Sequence, residues 1–270
     1  MIYMLKGLRI GVLTLIAATA TVSSAQIFTL TDTNTSVKIN TLSSVGLFDW
    51  IVGGTDQVFS NTYAWRVGDS SIADAVQNLT QVSAVQTGTR FLDVGYVNNT
   101  LGFRIDITYV LTGGATSFDV AEIVRVTNIG NNVLLPFRLF QYNDFDLNNT
   151  ANNDTATRIN SSQMQQVDGV LSLNMVSEGA TPVPAFSQVG PLFFTTLTTT
   201  SGYNLDTAAG LGLGQNFTGD AAYGFQWNQN LGVGQSFTIS TDKIAAVPEP
   251  GTMVALGLGA IALLRRRKKA

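Results

Sequence analysis

The chain has 270 residues, 45% of them apolar and 12% charged, which is enough apolar surface for a substantial core and too little charge for a disordered polymer. It contains neither cysteine nor histidine, so disulfides, thiolate or imidazole metal centres and every Ser-His-Asp or Cys-His nucleophile are excluded. Residues 26–247 hold eight basic side chains against 17 acidic ones, a balance of −9 that repels phosphate backbones and argues against nucleic acid as a partner.

Residues 1–25 carry sparse positive charge at Lys6 and Arg9, an apolar stretch from Ile10 to Ala20, and the small residues Ser23, Ser24 and Ala25 before Gln26. This is the pattern of a secretory signal peptide, with signal peptidase expected to cut between Ala25 and Gln26. The apolar stretch is shorter than the ~20 residues that a spanning helix needs.

From Gln26 onward, short runs of alternating apolar and polar residues are divided by Gly, Asn, Asp, Ser and Thr. In Phe103-Arg104-Ile105-Asp106-Ile107-Thr108-Tyr109 every second side chain is apolar, the period of a half-buried strand. Asp119 to Thr127, Leu135 to Tyr142, Leu192 to Thr200, Tyr223 to Trp227 and Ser236 to Thr241 are rich in β-branched and aromatic residues and read as strands too. Asn128 to Asn132 reads as a hairpin connection, and Leu231 to Gln235 as a turn feeding the last strand. Asn143 to Gln166 is polar enough to read as a long loop, and Pro182-Val183-Pro184 marks a second irregular stretch. Many strands without intervening helices imply an all-β fold over residues 26–246, an antiparallel β-sandwich that is large and supersandwich-like. Val124 to Asn131, with the closing strand, loosely resembles extracellular sandwich modules and the sandwich halves of carbohydrate-active proteins.

Three constellations are candidates for chemistry. Asp144, Asp146 and Asn148 occupy the first, third and fifth positions of an EF-hand-like loop, but Asn149 stands where that loop needs Gly and Thr155 where it needs Glu. A looser calcium site there competes with the reading that Asn and Asp simply form turns. Glu122 and Glu178 are the two glutamates of residues 26–246, and glycoside hydrolysis needs a carboxylate pair. Glu122 lies inside a strand, where a sheet-face salt bridge with Arg125 or Arg104 is the competing reading. Trp50, Trp65 and Trp227, with Tyr63 and Tyr96, offer stacking faces for sugar rings, although aromatic residues in strands more often fill the core.

Residues 247–270 place Pro248-Glu249-Pro250 before an uncharged apolar run from Gly251 to Leu264 and the cluster Arg265-Arg266-Arg267-Lys268-Lys269. This order closely resembles the PEP-CTERM sorting signal of bacterial envelope proteins. The resemblance implies recognition by exosortase, a membrane-embedded cysteine protease, with the apolar run as a short transmembrane helix and Arg265, Arg266 and Arg267 in the cytoplasmic stop. Five cations hold the C-terminus inside and place the sandwich outside. Fourteen residues reach about 21 Å as a helix against a ~30 Å hydrocarbon layer, a length suited to a transient anchor. The combined expectation is an exported, non-catalytic structural or adhesive protein of the envelope or extracellular matrix. The alternative is a polysaccharide-binding module or degenerate carbohydrate-active enzyme.

Overall fold

The computed structural model describes residues 26–169, 175–205 and 216–246, whose strands form two sheets of nine strands each. In chain order, β1 (Ile27–Asp32), β2 (Thr35–Asn40), β3 (Gly46–Val52), β4 (Thr55–Asp56), β5 (Ser60–Val67) and β6 (Asp74–Ala75) begin the first sheet. The chain then crosses and lays down β7 (Thr80–Thr87), β8 (Phe91–Asn98), β9 (Phe103–Thr112) and β10 (Ser117–Asn128) as a meander in the second. β11 (Leu134–Asp144) returns to the first sheet, and β12 (Asp154–Asn160), β13 (Gln163–Asp168) and β14 (Met175–Thr181) join the second. β15 (Phe186–Pro191) and β17 (Ala221–Leu231) complete the first sheet, while β16 (Asn216–Gly219) and β18 (Ser236–Ala246) complete the second. The antiparallel sandwich expected from the alternation is the observed fold.

The period of two decides which side chains fill the space between the sheets. Phe103, Ile105, Ile107, Tyr109 and Leu111 of β9 are buried, while the residues between them face outward. Leu139 of β11 and Tyr223, Phe225 and Trp227 of β17 meet them from the first sheet in one contiguous core. The first sheet is covered on its other face as well. Phe140, Tyr142 and Ala222 pack there against Phe193, Leu197 and Leu205, so β11 and β17 read as nearly continuous buried runs.

Three expectations are corrected. The segment expected as a strand over Leu192 to Thr200 is instead the short helix α1 (Phe194–Thr199). Its β-rich composition yields to packing: Leu197 drops onto the outer face of the first sheet, while Thr198 and Thr199 donate back to the carbonyls of Phe194 and Thr195. Asn128 to Asn132 connects β10 to β11 across the two sheets, so it is not a hairpin. There the buried Asn128 donates to the carbonyls of Asn132 and Leu231 and accepts from the Gly130 amide. The polar stretch expected as a loop contains the hairpin β12–β13, whose inward positions Ala156, Met164 and Gln166 are fully buried.

Gly46 shows how tightly two segments of the first sheet are drawn together. Its φ is +65°, and a Cβ there would sit 2.2 Å from the Asn61 carbonyl oxygen at the parallel contact between β3 and β5. Gly46→Ala is expected to destabilise the fold by about 2–3 kcal/mol, read as a lower urea midpoint with unchanged slope. An unchanged midpoint would show that this contact relaxes without cost.

Candidate functional site

Alternation also drives charge into the sandwich. β10 points Phe118, Val120, Glu122, Val124 and Val126 inward, β18 points Ile239, Thr241, Lys243 and Ala245 inward, and β14 contributes Val176, Glu178 and Ala180. Because β18 lies between β14 and β10, its register sets Glu178 opposite Lys243 and Glu122 opposite Thr241. The Lys243 Nζ lies 3.0 Å from Glu122 Oε2 and 3.1 Å from Glu178 Oε1. From the facing sheet, the Tyr63 hydroxyl donates to Glu122 Oε2 at 2.5 Å and Gln141 Nε2 donates to Glu178 Oε1 at 2.9 Å. The two glutamates singled out in the sequence therefore do meet, around a lysine.

This clasp is sealed. Glu122 and Glu178 are 0% exposed and Lys243 is 1% exposed, so the carboxylates are shut off from bulk solvent and from any sugar in it. Burial pushes the Glu178 carboxyl up, against the pull of Lys243. Burial also works to discharge Lys243, but the two carboxylates outweigh it and hold the ammonium protonated. Burial and the adjacent Glu122 raise the Tyr63 phenol, keeping it a neutral donor. The salt bridge expected between Glu122 and Arg104 or Arg125 is absent among the described residues, because both arginines face outward: Arg104 pairs with Asp106 and Arg125 donates to Ser236. Lys243 itself was legible in principle, since it shares the inward phase of β18 with Ile239 and Thr241.

A second polar site is open to solvent, at the end of the first sheet. β11 and β17 pair Asp144 with Ala222, and extending that register by two residues sets Asp146 opposite Asp220. One carboxylate oxygen from each of Asp144, Asp146 and Asp220 lies within 4.8 Å of the others. The structure thus unites two of the residues read as calcium ligands and supplies the third from Asp220, about 70 positions on. The backbone amide of Asn148 donates to Gln57, with Asn148 held at φ 60° in a tight turn. Burial, then neighbouring Asp146 and Asp220, push the Asp144 carboxyl up to about 7. Burial pushes the nearby Asp154 to about 7 as well. Asp144 also forms part of the wall of a cleft of about 350 Å³, together with Ser60, Tyr142, Phe194 and the exposed Phe59.

The tryptophans do not assemble a sugar platform. Trp50 and Trp227 are buried, Trp50 donating from its indole to Thr35 and Trp227 to the Pro182 carbonyl. Trp65 is half-buried and packs edge-on against Phe103 at 4.7 Å. Tyr63 and Tyr96 are buried too. Gln26 accepts from Thr41 through its backbone carbonyl, whereas Ala25, Pro248, Glu249, Pro250, Arg265, Arg266, Arg267 and the expected transmembrane helix lie outside the described residues. Among the described residues, no helix is long and apolar enough to cross a membrane.

Two outcomes follow from these electrostatics. Lys243→Met strands two buried carboxylates and is expected to cost about 3–5 kcal/mol in urea unfolding, whereas adding Glu122→Gln and Glu178→Gln to it restores most of the loss. A single variant as stable as the parent would show that the clasp is not a charge pair. For the acidic cluster, Asp144 and Asp154 hold their protons more tightly folded than unfolded. Their contribution to stability is therefore full below about pH 4 and declines as pH rises through 7. Thermal unfolding of the full chain in detergent and chelator should show that decline, and Asp220→Asn should flatten it.

Comparison with known proteins adds a fold and a signal. The sequence has no match among curated proteins. The structure is similar to a bacterial glucoamylase complexed with acarbose, with a TM-score of 0.56 at 7% identity over 89% of this chain and 36% of that one. It is similar to a putative aldose 1-epimerase from Escherichia coli K12 (TM-score 0.55, 11% identity, 83% of this chain and 100% of that one). A galactose mutarotase-like protein from Lactobacillus casei gives 0.54 at 10% identity, over 82% of this chain and 100% of that one. At such identities the likeness is one of fold. The model of the PEP-CTERM protein-sorting motif matches residues 246–268, which contain the Pro-Glu-Pro, the apolar run and the arginines, and it implies export and processing by exosortase. Residues 246–268 therefore carry a PEP-CTERM protein-sorting motif, and the described residues before it form an antiparallel β-sandwich.

Proposed function

We propose that this protein is a non-catalytic, structural or adhesive component of the cell envelope or extracellular matrix. Signal peptidase removes residues 1–25, the apolar tail holds the chain briefly in the membrane, and exosortase cuts near Pro248-Glu249-Pro250 to release the sandwich. The observation that supports the non-catalytic reading is the sealed clasp: Glu122 and Glu178, the two glutamates of residues 26–246, are spent on Lys243 inside the core. Replacing Pro248-Glu249-Pro250 with alanines is expected to leave a longer, membrane-retained form in fractionated cells. Normal processing of that variant would remove the sorting step from this reading.

A second reading, binding of extracellular polysaccharide, draws on the cleft beside Asp144. Exposed Phe59 and the hydroxyls of Ser43, Ser44, Ser60 and Thr195 border it, a mixture of apolar surface and hydrogen-bonding groups that suits a sugar ring. A glycan array probed with the processed protein separates the two readings. Binding that is lost at least ten-fold in Phe59→Ala supports the cleft, and silence across the array supports the structural role.

A further inference from the structure

We infer that Asp144, Asp146 and Asp220 form a calcium site at the open end of the first sheet. Calcium takes oxygen ligands at about 2.3–2.6 Å, so oxygens on one ion lie roughly 5 Å apart at most. The three carboxylates already meet that limit, with mutual distances within 4.8 Å. Among the described residues no lysine or arginine is ion-paired to any of them, so three acidic groups converge without a counter-charge.

A separate observation shows that a partner is owed. Asp144 is 3% exposed, and although its Oδ2 accepts from the Tyr142 hydroxyl, its Oδ1 has no hydrogen-bond partner. Asp154, 0% exposed and close enough for its charge to act on Asp144, has a bare Oδ1 as well. Buried carboxylate oxygens are normally satisfied, because each one left bare forfeits its hydration. A cation seated among the three aspartates satisfies Asp144 and screens Asp154 at once. The adjoining cleft admits the waters that fill the remaining positions of a six- to eight-coordinate ion. Calcium is the ion of choice over magnesium, because the ligands come from the end of β11, the turn after it and the β16–β17 junction, and such separate segments do not impose octahedral geometry.

The ion would tie the end of β11 to the start of β17. The test uses the full chain in detergent, stripped with chelator, with calcium chloride as the probe. Saturating calcium should raise the melting temperature by about 5 °C or more. Asp146→Asn and Asp220→Asn should still unfold cooperatively in chelator but lose the shift, and in Asn148→Ala it should persist. The inference falls if the parent shows no shift, or if the shift survives in Asp220→Asn. An equal response to magnesium chloride overturns the choice of calcium.

Discussion

The fold depends on one buried ion cluster at its centre. Lys243 stands between Glu122 and Glu178, and these three residues come from three adjacent strands of the second sheet, β10, β18 and β14. Tyr63 and Gln141 reach the same carboxylates from the first sheet, so the cluster also sets how the two sheets face each other. An apolar core tolerates a shift of register more readily than a core in which a charge would lose its partner. A one-residue slip of β18 would turn Lys243 to the opposite face, away from both carboxylates. It also removes both glutamates from any chemistry that needs solvent or substrate.

Charge is arranged in opposite ways at the centre and at the end of the sandwich. At the centre an ammonium offsets two carboxylates, and a hydroxyl and an amide donate to Glu122 Oε2 and Glu178 Oε1. At the end of the first sheet, Asp144, Asp146 and Asp220 gather, and among the described residues no lysine or arginine is ion-paired to them while neighbouring carboxylates add negative charge. The first arrangement carries its counter-charge within the chain. The second is complete only with something from outside it, and it lies beside the cleft, where something from outside can arrive.

Sequence alternation made most of the sandwich legible, since Phe103 to Tyr109 or Asp119 to Thr127 can bury one face only as a strand. It failed where composition and packing disagree. Phe194 to Thr199 is rich in β-formers yet coils because Leu197 finds a pocket over Phe140 and Tyr142. The hairpin β12–β13 hid behind polar residues that nonetheless turn inward, as Gln166 does, its amide nitrogen donating to Asp154 and the Phe145 carbonyl. Asp144 and Asp146 were visible as clustered oxygens, but Asp220 enters through the β11–β17 register, which no local pattern reveals. The tail was legible because its three features occur in a fixed order. The tryptophans were ambiguous because alternation places them inward only once the sheet pairing is known.

The position of β18 has a consequence for the order of events during export. It is the last strand among the described residues, it lies between β14 and β10, and it ends at Ala246, where the sorting motif begins. The second sheet therefore stays split until nearly the whole body has been translocated, and Lys243 reaches its carboxylates only a few residues ahead of the tail. A chain that stalls early would expose two unpaired strand edges, and one that reaches the protease arrives with its last strand newly locked in place.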